Sequence, residues 1–384
     1  MEKSKVYQPQ YFRKFQCTGS ECRDNCCRDW TILIDETTYE KYMGLDEEAR
    51  KEFVEKIEVT EKTPFRAKIV LDGDGVCGFL DDRGLCSIQL RYGHDYLSYI
   101  CRAYPRQLCN VAGEVEAYLG LSCEVAARII LLEQNIMKFE DAALEREGQI
   151  LFSHILEAEK YVSAGNAADI FWNLRTGSVA IAQSRQYRLR ARMLILGMYI
   201  KQASELMSDG RYDAIKEHTD KFLERIQSRF YDNLLEQTPG RDELDVKFLL
   251  GLLRKIELKQ NMILNKVMEQ TLSALGISLS GGIPEGFYDD FKKSYERYFA
   301  DKEYVLENYV VSHIFSDGFP FNYKYEDSIM KNYKELLVKY NLVKFLLVGV
   351  SKYHNKFDKR RVVECVSSFS RAYDHQIGGA LVMK

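Results

Sequence analysis

The sequence has no apolar run approaching the roughly 18 residues that a membrane-crossing helix requires. Its best candidate, 342–350, is short and interrupted by Lys344, so no membrane association is expected. Charge of one sign is also missing: 54 Lys and Arg against 57 Asp and Glu leave a net −3. That is too little for the basic field of a nucleic-acid binder, and nucleic acid is not an expected partner. Residues 1–15 are polar and hold no apolar signal-peptide stretch, which makes a cytoplasmic protein the expectation. No segment recurs at a fixed period, which excludes a solenoid. With only six prolines in 384 residues, little interrupts long helices.

What is present is aromatic and helical. Tyr and Phe number 25 and 20, enough to bury large surfaces and to argue against disorder. From residue 122 onward, amphipathic stretches follow one another at 124–145, 149–162, 166–185, 187–208, 212–235, 244–275, 285–299, 304–314, 327–352 and 359–375. In Phe248, Leu249, Leu252 and Ile256 the apolar positions recur every three or four residues, the helical period. Residues 1–123 read differently. Strand-like runs at 30–34 and 68–71 and short helices at 36–43 and 47–57 alternate with turn-rich Asp72-Gly-Asp-Gly75 and Asp81-Asp-Arg-Gly84. The expected fold is mainly α: a small irregular cysteine-rich module, 1–123, joined to a large helical domain, 124–384. A homo-oligomer is compatible with this composition.

The cysteines are the most informative residues. Nine of ten precede residue 124 (Cys17, Cys22, Cys26, Cys27, Cys77, Cys86, Cys101, Cys109 and Cys123), and only Cys365 follows. Cysteines used as small core hydrophobes would scatter through the chain, and a disulfide scaffold would need an oxidising compartment. Thiolate chemistry remains: metal, cluster or redox. Four thiols within eleven residues can wrap one centre, while Cys77, Cys86 and Cys101 complete the shell after folding. Soft donors select zinc or iron–sulfur over calcium or magnesium. Structural zinc usually shows Cys-x₂-Cys knuckles, and none occurs here, so a [4Fe–4S] cluster is favoured with zinc as the alternative. Successive side chains at Cys26 and Cys27 are expected to diverge, leaving one of them outside the ligand set. The leading ligands are Cys22, Cys26, Cys86 and Cys101, followed by Cys17, Cys27 and Cys77. Arg102 and Arg106 would offset the negative charge of a thiolate-bound cluster and so count as cofactor-binding. Cys109 and Cys123 remain open between ligand and core, and Cys365 reads as core. Trp30 and Phe79 read as shielding residues, and His94 as either a ligand or a solvated side chain. Arg371 and His375, one helical turn apart, read as a surface pair.

Several segments resemble the flagellin lysine-N-methylase family, within a wider group of proteins that share a CC-containing cysteine cluster. They are Tyr11-Phe-Arg-Lys-Phe-Gln-Cys17-Thr-Gly-Ser-Glu-Cys22, Asp24-Asn-Cys26-Cys27-Arg-Asp-Trp30, Cys77-Gly-Phe-Leu80, Leu85-Cys86-Ser-Ile-Gln89, Cys101-Arg-Ala-Tyr-Pro105-Arg106 and Leu121-Ser-Cys123. Leu306-Glu-Asn-Tyr309, Phe319-Pro-Phe321 and Phe369-Ser-Arg371 resemble its helical tail. The family often has Pro after the cysteines aligned with Cys77 and Cys123, where this chain has Gly78 and Glu124. The resemblance implies methyl transfer from S-adenosylmethionine to the ε-amino groups of flagellin lysines, with flagellin as partner.

That reaction needs a neutral amine, and Tyr104, beside Cys101 and Arg102, is the candidate catalytic residue for handling its proton. The radical motif Cys-x₃-Cys-x₂-Cys is half present, because Asp29 occupies its third position. No Gly-x-Gly-x-x-Gly follows a strand, and Gly281–Gly286 reads as an interhelical loop rather than a donor pocket. Two other functions fit the cysteines: an iron–sulfur redox or electron-transfer protein, and a non-catalytic zinc protein. The size of the helical body favours a substrate-handling role.

Overall fold

The computed structural model describes residues 4–23, 26–28, 30–60, 65–144, 152–233, 246–253, 261–277, 282–323 and 328–373. Helices predominate, but the N-terminal third carries two sheets where the sequence suggested irregular structure. The smaller sheet places β4 (Phe65–Ile69) between β2 (Leu33–Asp35) and β3 (Ile57–Val59), antiparallel to both. Two helices follow β2, and both start where an aspartate can cap them. Asp35 accepts the Thr38 N–H at 3.0 Å to open α1 (Glu36–Met43), and Asp46 accepts the Ala49 N–H at 3.0 Å to open α2 (Glu47–Lys56). Beneath them lies a compact aromatic core in which Tyr42 stacks on Phe53 at 4.0 Å, with Phe79 beyond.

The second sheet has the order β7-β1-β6-β5-β8. Its strands are β1 (Ser4–Pro9), β5 (Arg106–Val111), β6 (Glu114–Leu119), β7 (Phe139–Leu144) and β8 (His154–Leu156). The β5–β6 hairpin turns at Ala112-Gly113, both at positive φ (48° and 89°), which suits a two-residue turn between twisted strands. β7 and β8 correct the helices expected over 124–145 and 149–162. Among the described residues, α5 (Glu124–Leu131) and a short 3-10 turn (Ala158–Lys160) are the helical parts there, and the chain between pairs with β1 and β5. Pairing with strands distant in the chain, from Pro9 to Phe139 and from Cys109 to His154, overrides the local periodicity.

The helical body packs against this sheet. Its members are α6 (Ala167–Ala182), α7 (Leu189–Ser208), α8 (Ile215–Gln227), α9 (Val246–Leu253), α10 (Met262–Leu275), α11 (Phe287–Phe299), α12 (Tyr304–Ser316), α13 (Ile329–Tyr353) and α14 (Lys359–Ala372). The helix expected over 244–275 is thus α9 and α10, with 254–260 outside the described residues. The apolar run 342–350 is the middle of α13, buried among α7, α10 and α11. Gly349 there lets α10 approach closely, since a Cβ would collide with Thr271. Among the described residues no helix is long and apolar enough to cross a membrane.

Two ion-pair groups centred on buried carboxylates lock the body. Arg175 on α6 donates two bonds to Glu116 on β6, at 2.8 and 3.0 Å. Glu307 on α12 accepts from Arg192 at 2.6 Å and from Arg185 at 2.8 Å. Ordered, bidentate guanidinium–carboxylate contacts of this kind can offset the desolvation of both ions.

Candidate functional site

Eight of the nine N-terminal cysteines line one chamber of about 260 Å³, formed where the small aromatic core meets the sheet and helical body. Cys109 is the exception: it lies buried in β5, beside Tyr118 and Tyr323. Cys365 is fully buried on α14, away from the chamber, as its isolation suggested.

The local chemistry that presents each thiol can be read residue by residue. Cys77 and Cys86 end two loops of the same form, Asp72-Gly-Asp-Gly75-Val-Cys77 and Asp81-Asp-Arg-Gly84-Leu-Cys86. In each, the aspartate Oδ1 accepts two backbone N–H groups, from Asp74 and Val76 and from Arg83 and Leu85, at 2.8–3.0 Å. The glycine in each turns at φ +74°. This aspartate-bound turn tightens the loop and delivers the cysteine at a fixed offset. The repeat was available in the sequence as a Asp-x-x-Gly-x-Cys pattern, and the spacing argument missed it.

Backbone pairing then draws the loops together. The Cys77 N–H donates to the Cys27 carbonyl at 2.9 Å, and Leu80 bridges to Cys86. Cys86 and Cys123 occupy the N-cap positions of α3 (Ser87–Tyr92) and α5, where the helix N–H groups face their sulfurs. Cys101 sits in the first turn of α4 (Tyr99–Ala103), its N–H donating to Ser98 Oγ at 3.3 Å. Asp35 ties this helix to α1 by accepting the Tyr99 N–H at 2.8 Å.

Cys26, Cys77, Cys86 and Cys101 each lie within electrostatic reach of the other three. Cys22 instead neighbours Cys17, Cys26 and Cys123. Of the expected ligands, then, Cys26, Cys86 and Cys101 come together with Cys77, while Cys22 and Cys17 stand on the body's side of the chamber. Among the described residues, no three His, Cys, Asp or Glu side chains form a ready-made site for a single ion.

Burial pushes the Cys77 and Cys123 thiols up to about 11 and Cys101 up to about 12. Cys26 moves the other way, down to about 7, because a hydrogen bond from Cys27 stabilises its thiolate more than burial penalises it, with Arg371 assisting. Cys27 is raised in turn by that bond and by burial. The adjacent side chains therefore do not diverge as expected; they share a proton-bearing contact.

The remaining candidates flank the chamber. Trp30 is a half-buried wall, its indole N–H donating to the Cys26 carbonyl at 2.6 Å and its ring 5.3 Å from that of Tyr104. Phe79 belongs to the small core. His94 lies at the rim and is largely solvated. Arg102 lines the chamber, and so does Arg106, which stacks on Phe15 at 4.7 Å and donates to its carbonyl at 3.2 Å. Tyr104 is held well above the ordinary phenol range by burial, despite Arg371, and bonds Ser122 Oγ at 3.1 Å.

Arg371 corrects the surface reading: it is 3% exposed, lines the chamber, and donates to the Ser122 carbonyl at 3.2 Å. Its expected partner His375 lies outside the described residues, as do Asp29 and Gly281. Glu124, in place of the family's proline, accepts the Arg23 N–H at 3.1 Å and pairs with Arg128, pinning the Cys22 loop to α5.

Ser122 lines a second cavity, of about 420 Å³, between the sheet and α12–α13. Tyr104 and Arg371, which line the chamber, both bond to Ser122.

Residues 175–378 match the model of the FliB lysine N-methylase C-terminal domain. The chain belongs to the FliB lysine N-methylase family. Over 134 residues, 34% of the chain, it is 34% identical to the lysine-N-methylase of Salmonella choleraesuis and 33% identical to that of Salmonella typhimurium. In each case the match spans 33% of the relative's length, about a third. It is 32% identical to the flagellar biosynthetic protein FliU of Salmonella muenchen over 79% of that protein. No solved structure matches the chain. The FliB C-terminal domain contains the helices that wall the second cavity and supplies Arg371 to the chamber, whereas every chamber cysteine precedes it.

Proposed function

We propose that this protein is an S-adenosylmethionine-dependent lysine N-methyltransferase acting on flagellin, with a thiolate-held [4Fe–4S] cluster in the chamber. The observation that carries the reading is membership of the FliB lysine N-methylase family joined to a chamber lined by eight cysteines. Its relatives named as a lysine-N-methylase and a flagellar biosynthetic protein support the substrate. In this reading residues 1–123 supply the metal chemistry and residues 124–384 handle the substrate.

The donor set fits a cluster. A single tetrahedral ion draws its sulfurs to about 2.3 Å, whereas a chamber of about 260 Å³ amid mutually interacting thiols suits a polynuclear centre. Cys26, Cys77, Cys86 and Cys101 would hold it, with Cys22, Cys17 and Cys27 adjacent. Bound there, such a cluster supplies redox chemistry and an electrophilic iron.

The protein's own residues do the rest. Trp30 and the small core exclude water, which favours the neutral lysine over its ammonium. Arg102, Arg106 and Arg371 balance the thiolates. Tyr104, held as a neutral phenol by burial, can pass a proton between the amine and Ser122 but is a poor free phenolate base.

The test is anaerobic incubation of the loaded protein with S-adenosylmethionine and flagellin, with and without reductant, followed by mass spectrometry. Methylated lysine is the expected product. A fully loaded protein that yields none under either condition would leave a redox or zinc-binding function.

A further inference from the structure

The second cavity is polar in a particular way. Its volume, about 420 Å³, falls within the roughly 300–1,000 Å³ typical of small-molecule sites. Two carboxylates, Asp317 and Glu335, face it together with one ammonium, Lys339, and the amides of Gln107, Asn322 and Asn332. Lys339 is 7% exposed and donates to Asp317 Oδ2 at 2.7 Å; His313 Nδ1 meets the same oxygen at 3.1 Å. Burial raises the Asp317 pKa, but Lys339 and His313 pull it well below the carboxylate range, so Asp317 is held as the carboxylate.

Lys339 is buried while the Asp317 side chain is 39% exposed; taking the ammonium out of water costs several kcal/mol, and the pair joins the end of α12 to α13 rather than the sheet to the helices. One more buried polar atom, His313 Nε2, has no hydrogen-bond partner among the described residues. The wall thus sets an unspent ring nitrogen beside the Lys339–Asp317 pair. At the rim, the Tyr323 and His154 rings stack at 4.6 Å, a platform for another flat ring.

We propose that this cavity is the S-adenosylmethionine site, an assignment that rests on the methyltransferase reading. The ligand's chemistry matches the wall: a carboxylate and an ammonium for Lys339 and Asp317, ribose hydroxyls for Glu335, and an adenine edge for the amide side chains. The site also explains how a chain without a glycine-rich phosphate or nucleoside loop could bind such a donor. Ser122 lines this cavity and bonds both Tyr104 and Arg371, which line the thiol chamber, so the donor site and the thiol chamber are linked through that residue.

Equilibrium dialysis of labelled S-adenosylmethionine against the full, metal-loaded chain tests the assignment. Glu335→Gln and Lys339→Met are each expected to weaken binding at least about tenfold, with metal content and far-UV circular dichroism unchanged. If Lys339→Met misfolds by stranding Asp317, the double variant Asp317→Asn/Lys339→Met removes both charges and takes its place. Ultraviolet crosslinking of the labelled donor is expected to mark peptides within 107–122 or 312–339. Wild-type binding that these variants leave intact, with crosslinks only to cysteine-bearing peptides, would overturn the cavity assignment while sparing the methyltransferase reading. A loaded wild type that binds no donor would overturn both.

Discussion

The small aromatic core and the helical body are stabilised by different means. The body buries a continuous core from Tyr11 to Tyr373 and locks it with the Arg175–Glu116 and Arg192–Glu307 pairs. Among the described residues the small core has ten buried members, including Tyr42, Phe53 and Phe79, on elements of three to ten residues. So little apolar area scarcely outweighs the entropy of ordering the chain, and domains of this kind usually need a staple. Four of its cysteines, Cys27, Cys77, Cys86 and Cys101, are part of that core or packed against it. The body thus stands on its own packing, and on the proposed reading the thiol region is held by the cluster its thiols bind.

The largest effect should come from stripping the metal from loaded protein with a chelator. Hydrogen exchange is expected to lose protection across 30–101 while α6, α7, α12 and α13 keep theirs; uniform loss would break the contrast. Next is Arg175→Met, which strands a buried carboxylate and should cost about 3–5 kcal/mol in urea unfolding, without lowering metal content. A parallel loss of metal would show that the two regions are not separable.

Asp35→Ala removes both the α1 cap and the tie to Tyr99, for about 1–2 kcal/mol. Its effect should fall on the small core and should weaken metal retention through Cys101. Smallest is Lys5→Ala, which deletes the exposed pair with Asp141 at 3.2 Å and should change stability by less than about 1 kcal/mol.

Locally determined features were legible in the sequence. Asp35 and Asp46 announce α1 and α2, the helical period announces α6, α7 and α11–α14, and cysteine crowding announces the chamber. Features made by distant pairing were not. β7 and β8 form only because β1 and β5 supply edges far away in the chain. Arg371 looks like a surface residue until its partner Ser122, 249 positions earlier, is in place. Spacing favoured Cys22 over Cys77, since it could not see that a Cys27–Cys77 backbone bond brings the second loop inward. The second cavity has no sequence signature, because its walls come from β5, β6, α12 and α13.

The central claim is that the thiols gathered between these two regions hold an iron–sulfur cluster. Iron, zinc and acid-labile sulfide measured on anaerobically purified protein test it most directly. The account predicts about four irons and four sulfides per chain, lost in Cys77→Ser or Cys101→Ser. One zinc per chain with no sulfide would contradict it.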